Sequence, residues 1–241
     1  MTPYREGLPP RPPRIAALPL DARGYPIPWF VAIVGGIPDF RVADARKLVR
    51  AIKENRCWIC GQPLGQFKAV PVGPLGVINR ISAEAPCHRD CAEYALVVCP
   101  FLLNPSARRR EADLPDDIGH AGHLVPDNPG VMALWVAREF PVLHPPGGGV
   151  LFGLRTPAEV IWWTQGRLAT RGEVAVASVE SVDRARRATP EDLDGLLALD
   201  ARAEKSKALW PADPAPPGWK INNSDWPKGE GEHLVRAEEE D

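Results

Sequence analysis

Four side chains that can bind a metal form two pairs with the same spacing. Cys57 and Cys60 enclose Trp-Ile, and His88 and Cys91 enclose Arg-Asp. A separation of two residues lets both side chains of a pair reach one tetrahedral ion. Gly61 follows the first pair and permits the tight backbone turn that a zinc knuckle needs. The pattern predicts one structural Zn²⁺ site with Cys57, Cys60, His88 and Cys91 as its ligands.

A competing ligand set replaces His88 with its neighbour Cys87. Cys87 and Cys91 are four residues apart on a predicted helix, which is a less usual pairing than the two-residue knuckle spacing. The spacing therefore favours His88. Cys99 lies two helical turns beyond Cys91, and we expect it to be a buried core thiol rather than a ligand.

Two further histidines suggest an alternative, catalytic metal site. His120 and His123 follow Asp116 and Asp117, and such a group can bind a divalent ion. HNH-type nucleases use a His base and a metal on a treble-clef scaffold, with histidines on the hairpin and helix of the clef. Residues 67–81, where the hairpin is expected, contain no His, so the motif is incomplete. The favoured interpretation treats His120 and His123 as solvated residues of a Gly-rich turn.

The two halves of the chain carry opposite charge. Residues 1–110 hold 16 Lys and Arg against 8 Asp and Glu, whereas residues 111–241 hold 13 against 23. A basic half that contains the zinc site is able to face phosphate, and Trp58 and Phe67 are able to stack on bases. The candidate nucleic-acid contacts are Arg50, Lys53, Arg56, Lys68, Arg80 and Arg89. The competing interpretation is that the halves attract each other, that these arginines are a solvated face, and that Trp58 packs over the metal site.

The composition is that of a globular chain with proline-rich segments. Apolar residues make up 44% of the chain, and 28 of its 241 residues are prolines, against a usual share of about 5%. No apolar leader segment and no apolar run of membrane-spanning length occur, so we expect neither a signal peptide nor a membrane span. Five cysteines, four of which lie between residues 57 and 91 near a histidine, suit a metal site in a reducing cytoplasm. No motif for a small-molecule substrate is evident.

The segments around the cysteines predict a zinc-binding module over residues 15–105, preceded by a disordered basic arm at 1–14. Alternation and turn signals predict strands, and helical spacing after Asp44 predicts a capped helix. The expected elements are strands at 29–34 and 39–42, a helix at 45–55, a hairpin at 67–81 and a helix from about 86 to 98. Pro71 restricts its strand to the edge of a sheet.

Knuckle, hairpin and helix in this order resemble a treble-clef zinc module over residues 55–99. The treble clef hosts many unrelated activities, so the resemblance implies a fold rather than a function. The wider chain, roughly 15–170, resembles an uncharacterised group of bacterial and prophage-encoded proteins in the motifs Cys-Trp-Ile-Cys-Gly-Gln-Pro-Leu-Gly, Cys-His-Arg-Asp-Cys-Ala-Glu-Tyr-Ala and Cys-Pro-Phe-Leu. That group has no known activity, and the resemblance implies a cytoplasmic, phage-associated setting.

A linker at 106–130 is expected to lead to a sheet and two helices at 131–209. The strands are predicted at 131–140, 150–154 and 159–164. Thr170 and Glu173 form a capping box for a helix to about 187, and Thr189-Pro190 begins a second helix to about 209. The buried stripe of this second helix is predicted to be Leu193, Leu196 and Leu197. A disordered acidic tail is expected at 210–241.

Together these features predict an α+β protein with a zinc-stabilised, treble-clef-like N-terminal half, a small antiparallel sheet and two C-terminal helices. The leading functional hypothesis is a non-enzymatic zinc-binding protein that contacts DNA, RNA or a nucleic-acid-processing partner through its basic half. One alternative is a metal-dependent, HNH-like nuclease. The other is a protein-interaction adaptor that acts through the C-terminal helices at 171–209.

Overall fold

The computed structural model describes residues 2–105, 107–108, 127–146, 148–212, 219–221 and 234–236. These residues form a mixed α/β fold with small antiparallel sheets and C-terminal helices, as the sequence predicts. The helices are α1 (Pro13–Ala16), α2 (Ala45–Lys53), α3 (Pro74–Asn79), α4 (Arg89–Val98), α5 (Pro100–Leu103), α6 (Arg171–Ala188) and α7 (Leu193–Ser206). The strands are β1 (Val31–Val34), β2 (Ile37–Ala43), β3 (Lys68–Val72), β4 (Ile81–Ser82), β5 (Met132–Ala137), β6 (Val142–Leu143), β7 (Leu151–Gly153), β8 (Glu159–Thr164), β9 (Arg167–Leu168), β10 (Trp219–Ile221) and β11 (Leu234–Arg236).

The first hairpin and the helix after it are present where the sequence predicts them. Strands β1 and β2 pair antiparallel through the Gly35-Gly36 turn, where both glycines adopt positive φ. The Asp44 carboxylate accepts a hydrogen bond from the backbone N–H of Arg46 at 2.9 Å and so caps α2. Helix α2 ends at Lys53, a few residues before Cys57.

The second strand of the predicted hairpin at 67–81 is a helix instead. Strand β3 is followed by α3, which has Gly73 as its N-cap and Pro74 at its first helical position. Proline suits that position because no intrahelical partner exists for an N–H there. The hairpin of a treble clef is therefore absent from the fully described range 55–99, and the resemblance to that fold is not confirmed.

The central sheet joins the region of the cysteines to the C-terminal region. Its strand order is β3-β5-β8-β9, and every neighbouring pair is antiparallel. Strand β3 is an edge strand, as its Pro71 requires. Trp135 and Leu134 on β5 are fully buried. Helix α4 packs on β3 and β5, so the sheet positions the helix that carries Cys91.

The predicted single sheet over 131–164 is in fact two sheets. Strand β7, which covers the predicted strand at 150–154, does not pair with β5 or β8. It pairs with β4 on one side and β6 on the other. The local alternation of apolar and polar residues identifies strands, but the strand with which each one pairs depends on contacts between residues that are distant in sequence.

The C-terminal helices match the prediction in one case and differ in the other. Helix α6 begins after Thr170, and Glu173 completes the predicted capping box. Helix α7 begins at Leu193 with Asp192 as its cap, rather than at Pro190. Leu193 and Leu197 are 70% and 69% exposed, so the predicted buried stripe is wrong for both of them. The buried position on α7 is Leu199, which packs with Ile78 of α3 and Val182 of α6.

Two residues of the N-terminal segment, which the sequence predicts to be a disordered arm, contact helix α4. The Tyr4 hydroxyl donates to the carbonyl of Pro9 at 2.6 Å, which leaves the Tyr94 hydroxyl to donate to Tyr4 at 2.6 Å. Arg14 forms an ion pair with Asp90 of α4 at 2.9 Å. Each of these bonds gives a proline-rich segment a specific contact that its composition does not reveal.

Part of the predicted disordered tail is also paired, since β10 and β11 form an antiparallel two-stranded sheet. Most of the predicted linker, with Asp116, Asp117, His120 and His123, lies outside the described residues, as does the rest of the tail beyond Ala212.

None of the described helices is both long enough and apolar enough to span a membrane.

Candidate metal centre

Two short segments of backbone position the four predicted ligands. Cys57 and Cys60 lie in a tight turn that is closed by a bridge between Arg56 and Pro63. Gly61 has φ +73°, and a Cβ at this position would overlap the ring of Trp29, so glycine is required for both reasons.

The second segment begins α4. His88 is the N-cap residue of α4, and Cys91 lies in its first turn. His88 has the extended backbone of an N-cap residue, whereas Cys91 is helical.

The four side chains meet at one point. One ligand atom from each of Cys57, Cys60, His88 and Cys91 lies within 4.8 Å of all the others. His88 Nδ1 is 3.3 Å from Cys60 Sγ and 3.9 Å from Cys91 Sγ. Tetrahedral zinc with its usual bond lengths places neighbouring sulfur and nitrogen ligands about 3.5 Å apart. The two distances from His88 Nδ1 are therefore close to those of a tetrahedral site.

The second ring nitrogen of His88 fixes the protonation state of the first. His88 Nε2 is 2.9 Å from the carbonyl oxygen of Pro63. A carbonyl only accepts hydrogen bonds, so Nε2 carries the proton and Nδ1 keeps the lone pair that a metal needs. The sequence gives no signal for Pro63 in this role, because the interacting group is a backbone carbonyl and not a side chain.

The Cys57 sulfur lies at the centre of a hydrogen-bond network. The thiols of Cys60 and Cys91 donate to it and lower the pKa of Cys57 well below its usual value. The backbone N–H groups of His88 and Cys60 also donate, at 3.3 and 3.5 Å. The same interaction with Cys57 raises the pKa of Cys60 to about 11. These donors favour a thiolate at Cys57, which is the form that binds a metal.

Cys87 lies beside the cluster without belonging to it. Its backbone N–H and carbonyl pair with Ala69 of β3 at 2.7 and 2.8 Å, which fixes the chain one residue before His88. Its thiol is buried and donates to the carbonyl of Ala85 at 3.5 Å. Among the described residues, the group whose ligand atoms all lie within 4.8 Å of one another contains His88 and does not contain Cys87.

Trp58, the first residue between the knuckle cysteines, is part of the core. It is 2% exposed and stacks on Phe30, with ring centroids 5.0 Å apart. Its indole N–H donates to the Glu84 carboxylate at 2.9 Å. Because Trp58 is enclosed, it is not available for stacking on bases.

The donor set suits Zn²⁺. Three thiolates and one imidazole are the soft and intermediate ligands that Zn²⁺ prefers, and four protein ligands complete a tetrahedron. Three of the four ligands are buried, and His88 is half-buried. Such a closed set can hold an ion firmly but leaves no coordination position for a substrate.

The six predicted nucleic-acid contacts do not form one group of free cations. Arg50 and Arg56 both form ion pairs with Glu54, at 3.2 and 2.5 Å. Arg89 pairs with Glu93 at 2.8 Å and with Glu159 at 2.6 Å.

The other three candidates have different surroundings. The Arg80 guanidinium lies over the ring of Trp135, 4.6 Å from the centroid. Burial lowers its pKa. Lys53 is exposed and Lys68 is half-buried, and neither forms an ion pair with any residue that the structure describes.

Comparisons with known proteins give no relative for this chain: no protein-family model, no curated protein and no solved structure matches it. The resemblance to bacterial and prophage-encoded proteins therefore stays a prediction. The metal cluster is the functional feature that rests on geometry.

Proposed function

We propose that the protein is a zinc-binding protein that holds one structural Zn²⁺ with Cys57, Cys60, His88 and Cys91. The observation that carries the proposal is the mutual approach of the four ligand atoms within 4.8 Å. The hydrogen bond from His88 to Pro63 supports it, because it leaves Nδ1 free to bind the ion.

The ion would connect two parts of the N-terminal region that are also joined by a hydrogen bond from the Trp58 backbone N–H to the carbonyl of Pro86, at 3.1 Å. One part is the knuckle after α2, and the other is the start of α4. A metal that binds only the folded arrangement of its ligands contributes its binding free energy to folding. In this proposal the knuckle and helix of a treble-clef-like module are retained, while α3 replaces the second hairpin strand. A closed ligand set also supports a non-enzymatic role for the ion.

The ligand assignment is tested by metal content and by substitution with Co²⁺. We expect one zinc per chain in the purified wild type, and absorption bands of Co²⁺-loaded protein typical of three sulfurs and one nitrogen. Cys60→Ser should lose the metal and unfold the N-terminal region. Cys87→Ser is the matched control, since it changes a neighbouring buried thiol outside the cluster, and it should keep one zinc. Loss of zinc from Cys87→Ser with retention in His88→Ala would overturn the assignment.

We also propose that the zinc-bound protein contacts nucleic acid, in a cytoplasmic and phage-associated setting. The specific observation that supports this second function is an exposed aromatic ring beside an arginine that forms no ion pair with the residues that the structure describes. Phe67 is 45% exposed, and Arg138 lies over its ring, 4.9 Å from the centroid. Exposed aromatic rings that are flanked by cations are the usual means of holding unpaired bases and phosphates.

This second function is tested with zinc-loaded protein and labelled single-stranded and double-stranded DNA and RNA. We expect fluorescence anisotropy to show binding whose affinity falls steeply as salt rises, because bound phosphates release counterions. Absence of binding at low salt would contradict the proposal. Cleavage in the presence of Mg²⁺ would instead favour the nuclease alternative.

A further inference from the structure

A cleft of about 470 Å³ opens at one end of the central sheet. It lies where β3 and β8 begin and where β5 ends. The residues that line it are Phe67, Arg138, Glu139, Arg155, Thr156, Pro157 and Ala158. Its volume is within the range of about 300–1,000 Å³ that small-molecule sites occupy.

The cleft combines an aromatic surface with unpaired positive charge. Phe67 is 45% exposed and contacts the guanidinium of Arg138 on one side. Arg138 and Arg155 are both exposed, and neither forms an ion pair within the part of the chain that the structure describes. Glu139 is the one acidic residue that lines the cleft, so the two arginines leave it with a net positive charge.

The walls of the cleft are attached to the rigid core. The indole N–H of Trp135, which is fully buried, donates to the carbonyl of Arg155 at 3.1 Å. The N–H of Ala158 donates to the carbonyl of Val136 at 2.8 Å. These bonds hold the backbone of the segment between β7 and β8, including that of Arg155, against β5, so this wall of the cleft is formed before any ligand binds.

We propose that this cleft binds a nucleotide unit of single-stranded nucleic acid. The base stacks on the exposed part of Phe67, and the flanking phosphates contact Arg138 and Arg155. The Glu139 carboxylate can accept a hydrogen bond from an N–H group of the base, such as N3–H of thymine. An unpaired strand fits better than a duplex, because the bases of a duplex are already stacked on each other. The inference rests on the proposed contact with nucleic acid, to which it adds a place and a strand type.

The test uses the full-length, zinc-loaded protein and a fluorescein-labelled 12-nucleotide oligothymidylate, with the matching duplex as competitor. Phe67→Ala should weaken binding by at least about fivefold, since stacking on one aromatic side chain contributes this much or more. Phe67→Trp should restore it. Arg138→Ala/Arg155→Ala should weaken binding and lower the salt slope by about one to two units.

The matched control is Arg187→Ala/Lys205→Ala, which removes two exposed positive charges from the C-terminal helices and should leave binding nearly unchanged. Zinc content and near-ultraviolet circular dichroism establish that each variant is folded. Binding by wild type that none of the cleft variants alters would overturn the site but not the proposed function. Absence of wild-type binding would overturn both. Equal competition by the duplex, or displacement by micromolar thymidine 5′-monophosphate, would overturn the assignment to a single strand.

Discussion

At the scale of single residues, the ligand set is the part of the molecule that spacing predicts best. The members of each predicted pair are separated by two residues, and all four ligands lie close together in the structure. The choice between Cys87 and His88 has a physical basis that spacing alone does not contain. The backbone of Cys87 pairs with Ala69 on β3, so this residue belongs to a bridge, and the next residue turns into the cluster. The carbonyl of Pro63 was not predictable, because any residue offers a carbonyl.

Trp58 provides a test of how the knuckle is supported. Trp58→Phe keeps the stack on Phe30 but removes the hydrogen bond to Glu84, and hydrogen bonds to charged groups contribute about 1.5–3 kcal/mol. Trp58→Ala also removes the buried ring, which costs about 3–5 kcal/mol. We expect the free energy of unfolding in urea, measured at saturating zinc, to fall in that order. A Trp58→Ala variant as stable as Trp58→Phe would contradict the role of the ring.

At the scale of elements, α3 shows why local patterns fail. The residues Leu75-Gly-Val-Ile predict a strand because they are rich in β-branched side chains. In the structure Pro74 begins a helix, and β3 pairs with β5 along one edge and with Cys87 along the other. Segments that are distant in sequence therefore contact both edges of β3, and the residues directly after β3 do not pair with it. Tertiary pairing decides the outcome, and it does not appear in a local window.

Gly76 of α3 is required by a close approach of neighbouring groups. A Cβ at this position would overlap Cγ2 of Val72 and lie 2.8 Å from the carbonyl oxygen of Ile81. Alanine normally stabilises a helix by about 1 kcal/mol relative to glycine, but overpacking costs about 1–3 kcal/mol. We expect Gly76→Ala to lower the free energy of unfolding. Gly172→Ala on α6 is the control, because its new methyl group meets nothing closer than 4.0 Å, and it should be neutral or stabilising. A stabilised Gly76→Ala would contradict the packing of α3.

The capping box of α6 gives a dependence on pH. A hydrogen bond from Arg167 lowers the pKa of Glu173 to about 2, whereas the unfolded value is about 4.3. Because the folded pKa is the lower one, the contribution to stability is complete above about pH 5 and is lost as the pH falls from about 4.3 towards 2. Glu173→Gln should therefore be less stable than wild type at pH 7, and the difference should shrink below pH 4.5.

Urea unfolding of both proteins at pH 7, 5, 4 and 3 measures this difference, and subtraction removes the loss of zinc that both share. Glu180→Gln on the same helix is the control, since Glu180 is exposed and makes no hydrogen bond or ion pair with the described residues. A difference between wild type and Glu173→Gln that stays constant over this range would exclude the proposed cause.

The second C-terminal helix shows the limit of predicting burial from spacing. Leu193, Leu196 and Leu197 have helical spacing, yet the first and last of them are exposed. Helix α7 contacts both α3 and α6, and this packing places Leu199 in the interior. The sequence predicted a helix here, but the direction of its buried face depends on where two other helices lie.

At the scale of the whole molecule, the two oppositely charged halves are built into one core. Strand β3 of the first half pairs with β5 of the second, and Arg89 pairs with Glu159 across the halves at 2.6 Å. One hydrophobic cluster contains Cys57 and Cys91 together with Trp135 and Val174 of the second half. Arg89 of the basic half is therefore paired with an acidic residue of the other half within the protein. The sequence reveals the asymmetry but not the pairing, because the paired residues are far apart along the chain.

This shared core predicts that zinc supports more than the segment that binds it. Removal of the ion with a chelator should loosen the knuckle and α4, which packs on β3 and β5. Exchange of backbone amide hydrogens, followed by mass spectrometry, should therefore rise together in residues 55–98 and in β5, since members of one cooperative core lose protection as a unit. Addition of zinc should restore protection in both regions and serves as the control. Protection that persists in β5 and β8 while residues 55–98 exchange freely would mean that the C-terminal region folds independently of the metal.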